Sequence, residues 1–263
     1  MKLTEILKIL EEKVAPVALS DELCKKFDMY DNSGIIVNCG NDICGAVFSL
    51  DLSKGAIDEA KKKGYNLIVT HHPAIYGGLS RIDNENPVAA NIAECVKCGI
   101  SVISMHLNFD CAPRGIDYHL MKGLRGDNGE ECEILAKLSN GGYGRFYQVK
   151  PTDFNAFIKN IKTTFKTERV IAYGENKTIK AAASFCGAGC DGKAISFAAT
   201  HGADVFVSSD MPHHEITAIL GRGINVVLLA HYASENYGFS KIYNAISTSL
   251  QIPSAYHTDD NLL

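Results

Sequence analysis

No apolar run in the 263 residues approaches the ~20 that a bilayer span needs, which excludes a membrane-spanning helix from the expected architecture. A basic excess is missing as well. Lys and Arg number 26 against 30 Asp and Glu, for a formal net charge of −4 and a pI near 6.1. Such a chain has no electrostatic footprint for a nucleic-acid partner. The charged-then-apolar opening of an export signal is not there either: Met1-Lys2-Leu3-Thr4 leads into a helix carrying glutamates, and a cytoplasmic location is expected. Cysteine is plentiful, but a pairing pattern is not. The nine thiols fall at positions 24, 39, 44, 95, 98, 111, 132, 186 and 190, an odd number with no export signal, so reduced thiols are expected. Cys95 and Cys98 form a C-x-x-C late in an amphipathic helix. No second cysteine pair completes a zinc site with them, and no strand-to-helix turn precedes them as in a thioredoxin-type motif.

What remains is an ordinary globular make-up, 46% hydrophobic and 21% charged, long enough for two modest domains or one large one. The stretch that organises it is Gly64-Tyr65-Asn66-Leu67-Ile68-Val69-Thr70-His71-His72-Pro73. Its apolar run reads as a strand buried on both faces, and two imidazoles follow where the strand should end. Adjacent side chains there point to opposite sides, so the two histidines could serve two ions, or one an ion and the other the scaffold. Pro73 stops the ladder.

Along the chain, helices are expected over 3–14 and, with Ser20 as N-cap, over a short segment bearing Leu23 and Phe27. Strands follow at 34–38 and 44–50, the latter ending in Asp51, and Ser53 caps a helix closed by Gly64. Asn86-Pro87 opens a helix that Gly99 ends, and strand 100–105 runs into His106-Leu107-Asn108-Phe109-Asp110. A helix near 114–124 leads to Gly126-Asp127-Asn128-Gly129, the expected boundary between lobes. Beyond it come strands near 133–138 and 145–150, a helix over 152–165, and strands near 169–173 and 179–186 that lead into the small-residue turn Gly187-Ala188-Gly189. Strand 204–207 then ends in Ser209-Asp210, with His213 and His214 just beyond, and strand 225–229 ends in His231 before a closing helix over 234–250.

Four segments therefore share one plan: helix, glycine, apolar strand, then a polar residue at the strand's carboxyl end, namely His71, His106, Asp210 and His231. Ligands in α/β sheets bind beyond the carboxyl ends of the strands, so these ends are where a metal or a catalytic residue belongs. The plan occurs twice in each half, which predicts a three-layer α/β/α fold of two similar lobes with mostly parallel sheets. The first lobe is expected over 1–125, completed by the C-terminal segment 232–263, and the second over 126–231. His119 and His257 read as solvated, and His201 as a partner of its helix dipole.

Three local groups could converge: His71-His72, His106 with Asp110, and His231 with Glu235, the last pair four apart where a strand gives way to a helix. Imidazoles and carboxylates without a thiolate suit Zn, Fe or Mn rather than a structural cysteine-rich zinc site. The set is large enough for two ions ~3.5–4 Å apart.

The His71-His72-Pro73 strand end, Asp31-Asn32-x-Gly34, His106-x-Asn108-x-Asp110-x-x-Pro113-x-Gly115 and His231-Tyr232-x-Ser234-Glu235 together resemble the NIF-three-like family, also labelled GTP cyclohydrolase 1 type 2. The resemblance spans nearly the whole chain with the motifs in order. It implies two divalent metal ions per chain, held by His71, His72, Asp110, His231 and Glu235 with Glu235 as bridge, and a toroidal homohexamer. It also places His106, Asp210 and His213 as residues lining the site, where they could act in catalysis, and Gly187-Ala188-Gly189 near the centre. Ser208-Ser209-Asp210 stands where the family more often has Thr-Gly-Asp, and Ala230 where a glycine is usual, so fine pocket shape departs from the pattern. The domain that some members insert between the lobes has no room here. The activity implied is metal-dependent hydrolysis of a small-molecule substrate, nucleotide GTP by the family label; the alternative is a non-enzymatic metal-loaded ring that binds a partner.

Overall fold

A computed structural model describes residues 1–126 and 129–263. The chain divides into two compact units, Met1–Ala112 with Phe239–Asp260, and Pro113–Gly238 with Asn261–Leu263.

The first unit contains α1 (Leu3–Lys13), α2 (Ala18–Phe27), β1 (Gly34–Val37), β2 (Ala46–Ser49), α3 (Lys54–Lys63), β3 (Leu67–Thr70), α4 (Pro87–Lys97), β4 (Ser101–Ser104) and α5 (Leu107–Cys111). Its sheet runs β1-β4-β3-β2-β11, with β11 (Ser254–Tyr256) at one edge. All its pairings are parallel except β1 on β4. The alternation of side chains along a strand explains the layers. Val47, Ile68 and Val102 point to one face, where they pack with Ile57 and Ala60 of α3 and Ile92 and Cys95 of α4. On the other face Phe48 meets Phe239 and Tyr243, with ring centroids 6.2 and 5.1 Å apart. Full burial of one such ring contributes on the order of 2 kcal/mol. Because both faces are covered, β2, β3 and β4 are buried at every position, as the continuous apolar runs required.

The second unit contains α6 (Ile116–Arg125), β5 (Glu133–Lys137), β6 (Gly142–Asp153), α7 (Phe154–Phe165), β7 (Val170–Tyr173), β8 (Thr178–Ser184), α8 (Gly192–His201), β9 (Val205–Ser208), α9 (His213–Leu220) and β10 (Asn225–Leu229). Helix α10 (His231–Ile246) starts in this unit, and its residues from Phe239 belong to the first. The sheet order is β5-β6-β8-β9-β10-β7. Here the expected parallel character is only partial: β8, β9 and β10 are mutually parallel, while β5, β6 and β7 are joined antiparallel. The reason lies in the connections. β5 and β6 are joined by a short turn, which only an antiparallel pair permits. Ala194, Ile195 and Ala198 of α8 and Ile216 and Ile219 of α9 cover one face with Phe185 and Phe206.

Helix α6 is grouped with the second unit, whereas the sequence placed residues through 125 in the first lobe. Its Asp117 is fully buried and lies 3.0 Å from Arg145 Nε on β6, and it accepts the Gly144 and Cys186 amides. The glycine-rich turn expected as the boundary includes residues 127 and 128, which lie outside the described residues. Ser20, expected as an N-cap, sits inside α2 and is buried; Val17 is the cap residue. The small strand β11 carried no sequence signal strong enough to announce it.

Candidate metal centre

In the first unit β3 delivers His71 and His72 just past its last residue, and both backbone amides turn back to the Leu50 carbonyl. A buried polar pair holds this turn: Thr70 Oγ1 and Ser104 Oγ are 2.8 Å apart, Thr70 Oγ1 donates to the His72 carbonyl, and Ser104 Oγ accepts from the Ala74 amide. The two rings then lean toward different strand ends. His71 Nδ1 donates to the Met105 carbonyl beyond β4 at 3.0 Å. His72 Nδ1 pairs with Asp51 Oδ1 beyond β2 at 2.7 Å. Since a carbonyl can only accept, the proton of neutral His71 is fixed on Nδ1 and the Nε2 lone pair is left to face Asp110 Oδ1, 3.5 Å away.

His106 stands at the N-terminus of α5, and Asp110 lies on that helix. The His106 Nδ1 is held by Asp31 Oδ1 at 2.7 Å, and its amide donates to Ser33 Oγ, which itself donates to Asp31 Oδ2. Burial would raise the Asp31 carboxyl, but His106 and the hydroxyls of Ser33 and Ser20 outweigh it and hold it down to about 2. Ligand atoms of His71, His106 and Asp110 all lie within 4.8 Å of one another, the spacing of donors around one cation.

In the second unit β10 ends at Leu229 and α10 begins at His231, so the imidazole and Glu235 share one helix face. His231 Nδ1 is 2.5 Å from Asp210 Oδ2, and Nε2 is 3.0 Å from Glu235 Oε2. With the Nδ1 proton directed at Asp210, the Nε2 lone pair and a carboxylate oxygen face each other, an arrangement that a cation satisfies. The turn after β8 comes close to this pair. Gly187 has φ +61°, and a Cβ on it would lie 2.7 Å from Glu235 Oε1. Its carbonyl accepts from the Ser209 amide and the Ser208 hydroxyl, and Ser209 Oγ lies 3.1 Å from Ser234 Oγ.

All four imidazoles thus have Nδ1 held by a carbonyl or carboxylate oxygen. Partners of that kind fix the tautomer and make Nε2 the donor to a metal. Asp31 and Asp51 emerge in this role although the sequence offered Asp31 only within a motif and Asp51 only at a strand end. The signal was there, a carboxylate at another loop of the same sheet edge, but nothing in linear spacing says which histidine it faces. Asp210, expected to line the site, holds His231. His213 is exposed at the start of α9.

The fold and these groups define an α/β protein of two units, each with imidazole and carboxylate groups of the kind able to ligate a metal ion. The family model described as Duf34/NIF3 (NGG1p interacting factor 3) matches residues 1–257, and the chain belongs to that family. It is 29% identical over 238 residues to a Clostridium perfringens protein named GTP cyclohydrolase 1 type 2 homolog, covering 89% of this chain and 87% of that one. It is 26% identical to a Schizosaccharomyces pombe protein named as a NIF3 homolog, covering 80% and 79%. A Staphylococcus aureus hypothetical protein of known structure shares the fold, with a TM-score of 0.82 at 23% identity over 98% of this chain and 96% of that one. Among the described residues no helix is long and apolar enough to cross a membrane.

Proposed function

We propose that the chain is a metal-dependent hydrolase of a small-molecule substrate, with two divalent ions, Zn, Fe or Mn, held by His71, His72, Asp110, His231 and Glu235, and with His106, grouped with His71 and Asp110, as a further donor. The observation that carries this reading is the common orientation of the imidazoles, each anchored through Nδ1 so that Nε2 is the ligand atom. Nitrogen and oxygen donors without thiolate suit ions that keep a coordination position for water or substrate. When bound, such ions supply Lewis acidity and a water acidified toward neutrality. The protein's own share is orientation. Met105, Asp51, Asp31 and Asp210 hold the rings, and Gly187 leaves space beside Glu235. The names of the relatives make GTP the first substrate to test. A homohexameric ring is the assembly we propose with it, supported by the family resemblance, and light scattering checks it.

Elemental analysis of protein purified without chelator should find close to two equivalents of metal per chain, and Glu235→Ala should lose metal. Full retention in that variant would remove Glu235 from the ligand set. Metal-loaded protein incubated with GTP and a panel of nucleotides and phosphoesters should turn over at least one of them, and His72→Ala should abolish that turnover. Equal activity in both proteins would mark a contaminant. Silence across the panel would favour a metal-loaded module that binds a partner.

A further inference from the structure

The second unit carries a cavity of about 730 Å³ beside His231, on the side of the sheet edge formed by β7. That volume is in the range of small-molecule sites. Val170, Ile171, Met211, Leu228 and Leu229 make its lining largely apolar. Ile171, on the edge strand, is left 56% exposed. Its charged residues are Arg169, Glu168, Asp210 and His231.

Sheet register fixes the position of Arg169. Leu229 pairs with Val170 across the antiparallel ladder, and the Ala230 amide donates to the Arg169 carbonyl at 3.0 Å. Arg169 therefore stands opposite the residue that precedes His231. Its Nη2 donates to the Asn261 carbonyl at 2.7 Å, which orients the guanidinium plane and leaves its other N–H groups for a ligand. The two carboxylates of the lining already have partners. Glu168 pairs with Lys162 at 2.8 Å, and Asp210 with His231. Arg169 is thus left with N–H groups to donate in front of an apolar wall.

We propose that this cavity binds the substrate of the neighbouring centre as a small organic anion, a single carboxylate or phosphate group on Arg169 with a ring-sized apolar body against Val170, Met211 and Leu228. The proposal rests on the metal-centre reading for what happens to the ligand, but not for its binding. A nucleoside triphosphate is a poor match, since three phosphates would set several negative charges against one guanidinium and the carboxylates of Glu168 and Asp210. A bidentate contact from a planar guanidinium suits either group, and Lys would reproduce its charge but not its fork.

The test is titration calorimetry of the full chain with phenyl phosphate, phenylacetate, inorganic phosphate and GTP, with metal content measured on every sample. One of the two phenyl probes should bind at least tenfold more tightly than inorganic phosphate or GTP, and which one it is decides between phosphate and carboxylate. Arg169→Met should weaken that probe about tenfold with metal content unchanged, Arg169→Lys should restore part of the loss, and Met211→Ala should weaken it less. Arg169 is exposed, so these variants should fold. Binding unaffected by Arg169→Met, GTP bound more tightly than both phenyl probes, or no binding of either phenyl probe would overturn the proposal. Probe binding that persists in protein lacking metal would uphold it independently of the hydrolase reading, which the turnover assay tests.

Discussion

In the first unit β2, β3 and β4 run parallel and β1, which precedes them in sequence, closes the sheet antiparallel on β4; in the second, β8, β9 and β10 run parallel and β7 closes on β10. Each third strand is followed by a histidine, and four residues on along a helix by a carboxylate: His106 and Asp110, His231 and Glu235. The surroundings differ. The carboxylate that holds His106 is 4% exposed and served by two serine hydroxyls; the one that holds His231 is 68% exposed. One strand plan therefore presents the same histidine–carboxylate pair in a dry setting and in a wet one. Geometry comes from the plan, and the strength with which it is held comes from burial.

The sharpest way to separate the units is to break a feature that only the second has. Arg145→Met leaves Asp117 buried without its cation, which costs ~3–5 kcal/mol in comparable cases. Chemical denaturation followed by hydrogen exchange should show the loss in β6, β8 and α6, with β2, β3 and β4 protected as before. Burial raises the Asp117 carboxyl to about 6, against the attraction of Arg145. The folded state then binds the proton more tightly than the unfolded one. This group's contribution to stability is fully present below about 4 and is lost as pH rises through about 6. A uniform loss of protection in both units would erase the distinction drawn here.

Next in size are the orienting carboxylates. Asp31→Asn should weaken metal binding toward the upper end of the ~10–100-fold range for such partners, because the buried position has no water to replace the lost charge. Asp210→Asn, exposed, should stay near the lower end. Chelator competition measures both, and equal effects would show that burial does not set the strength of the hold. Gly187→Ala tests the second unit from the other side. Its φ of +61° and the 2.7 Å approach of a Cβ to Glu235 Oε1 require the carboxylate to move. A several-fold loss of metal affinity with little change in melting temperature is the expected result.

Much of this was legible in the sequence. Strand ends at His71, His106 and His231 could be found because apolar runs stop there in a polar residue, and Glu235 because helical spacing brings i and i+4 together. Ser53, Asn86 and Gly64 mark their helix ends as their chemistry requires. The antiparallel half of the second sheet was not legible, since an apolar alternation carries no direction. Nor were Asp31 and Asp51 as partners of particular rings, because a hydrogen bond between residues 75 apart, as in Asp31 and His106, depends on sheet order. His257 was misread for a related reason: a tail histidine looks solvated until a strand after it or before it ties the tail down.

That tie supplies the smallest effect and a last contrast between the units. Strand β11 extends the first sheet beside β2, where the second sheet instead continues into β6 and β5. Just past β11 the His257 amide donates to the Phe48 carbonyl, and its ring sits between Glu59 Oε2 at 2.7 Å and Asp259 Oδ1 at 3.2 Å. Asp259 also accepts from Ser53, the cap of α3. Burial alone would lower the imidazole's pKa, but the two carboxylates more than offset it, and the net shift is upward from 6.5. The charged ring is thus favoured by folding. Its contribution is complete below pH 6.5 and is lost as pH rises through the higher folded-state value. His257→Gln should remove about 1 kcal/mol at pH 6, the size of a net hydrogen bond, and nothing at pH 9. Limited proteolysis of the C-terminal segment, faster in the variant at pH 6 and equal at pH 9, would place that loss at the strap; equal rates at both values would show that β11 holds the tail without the ring.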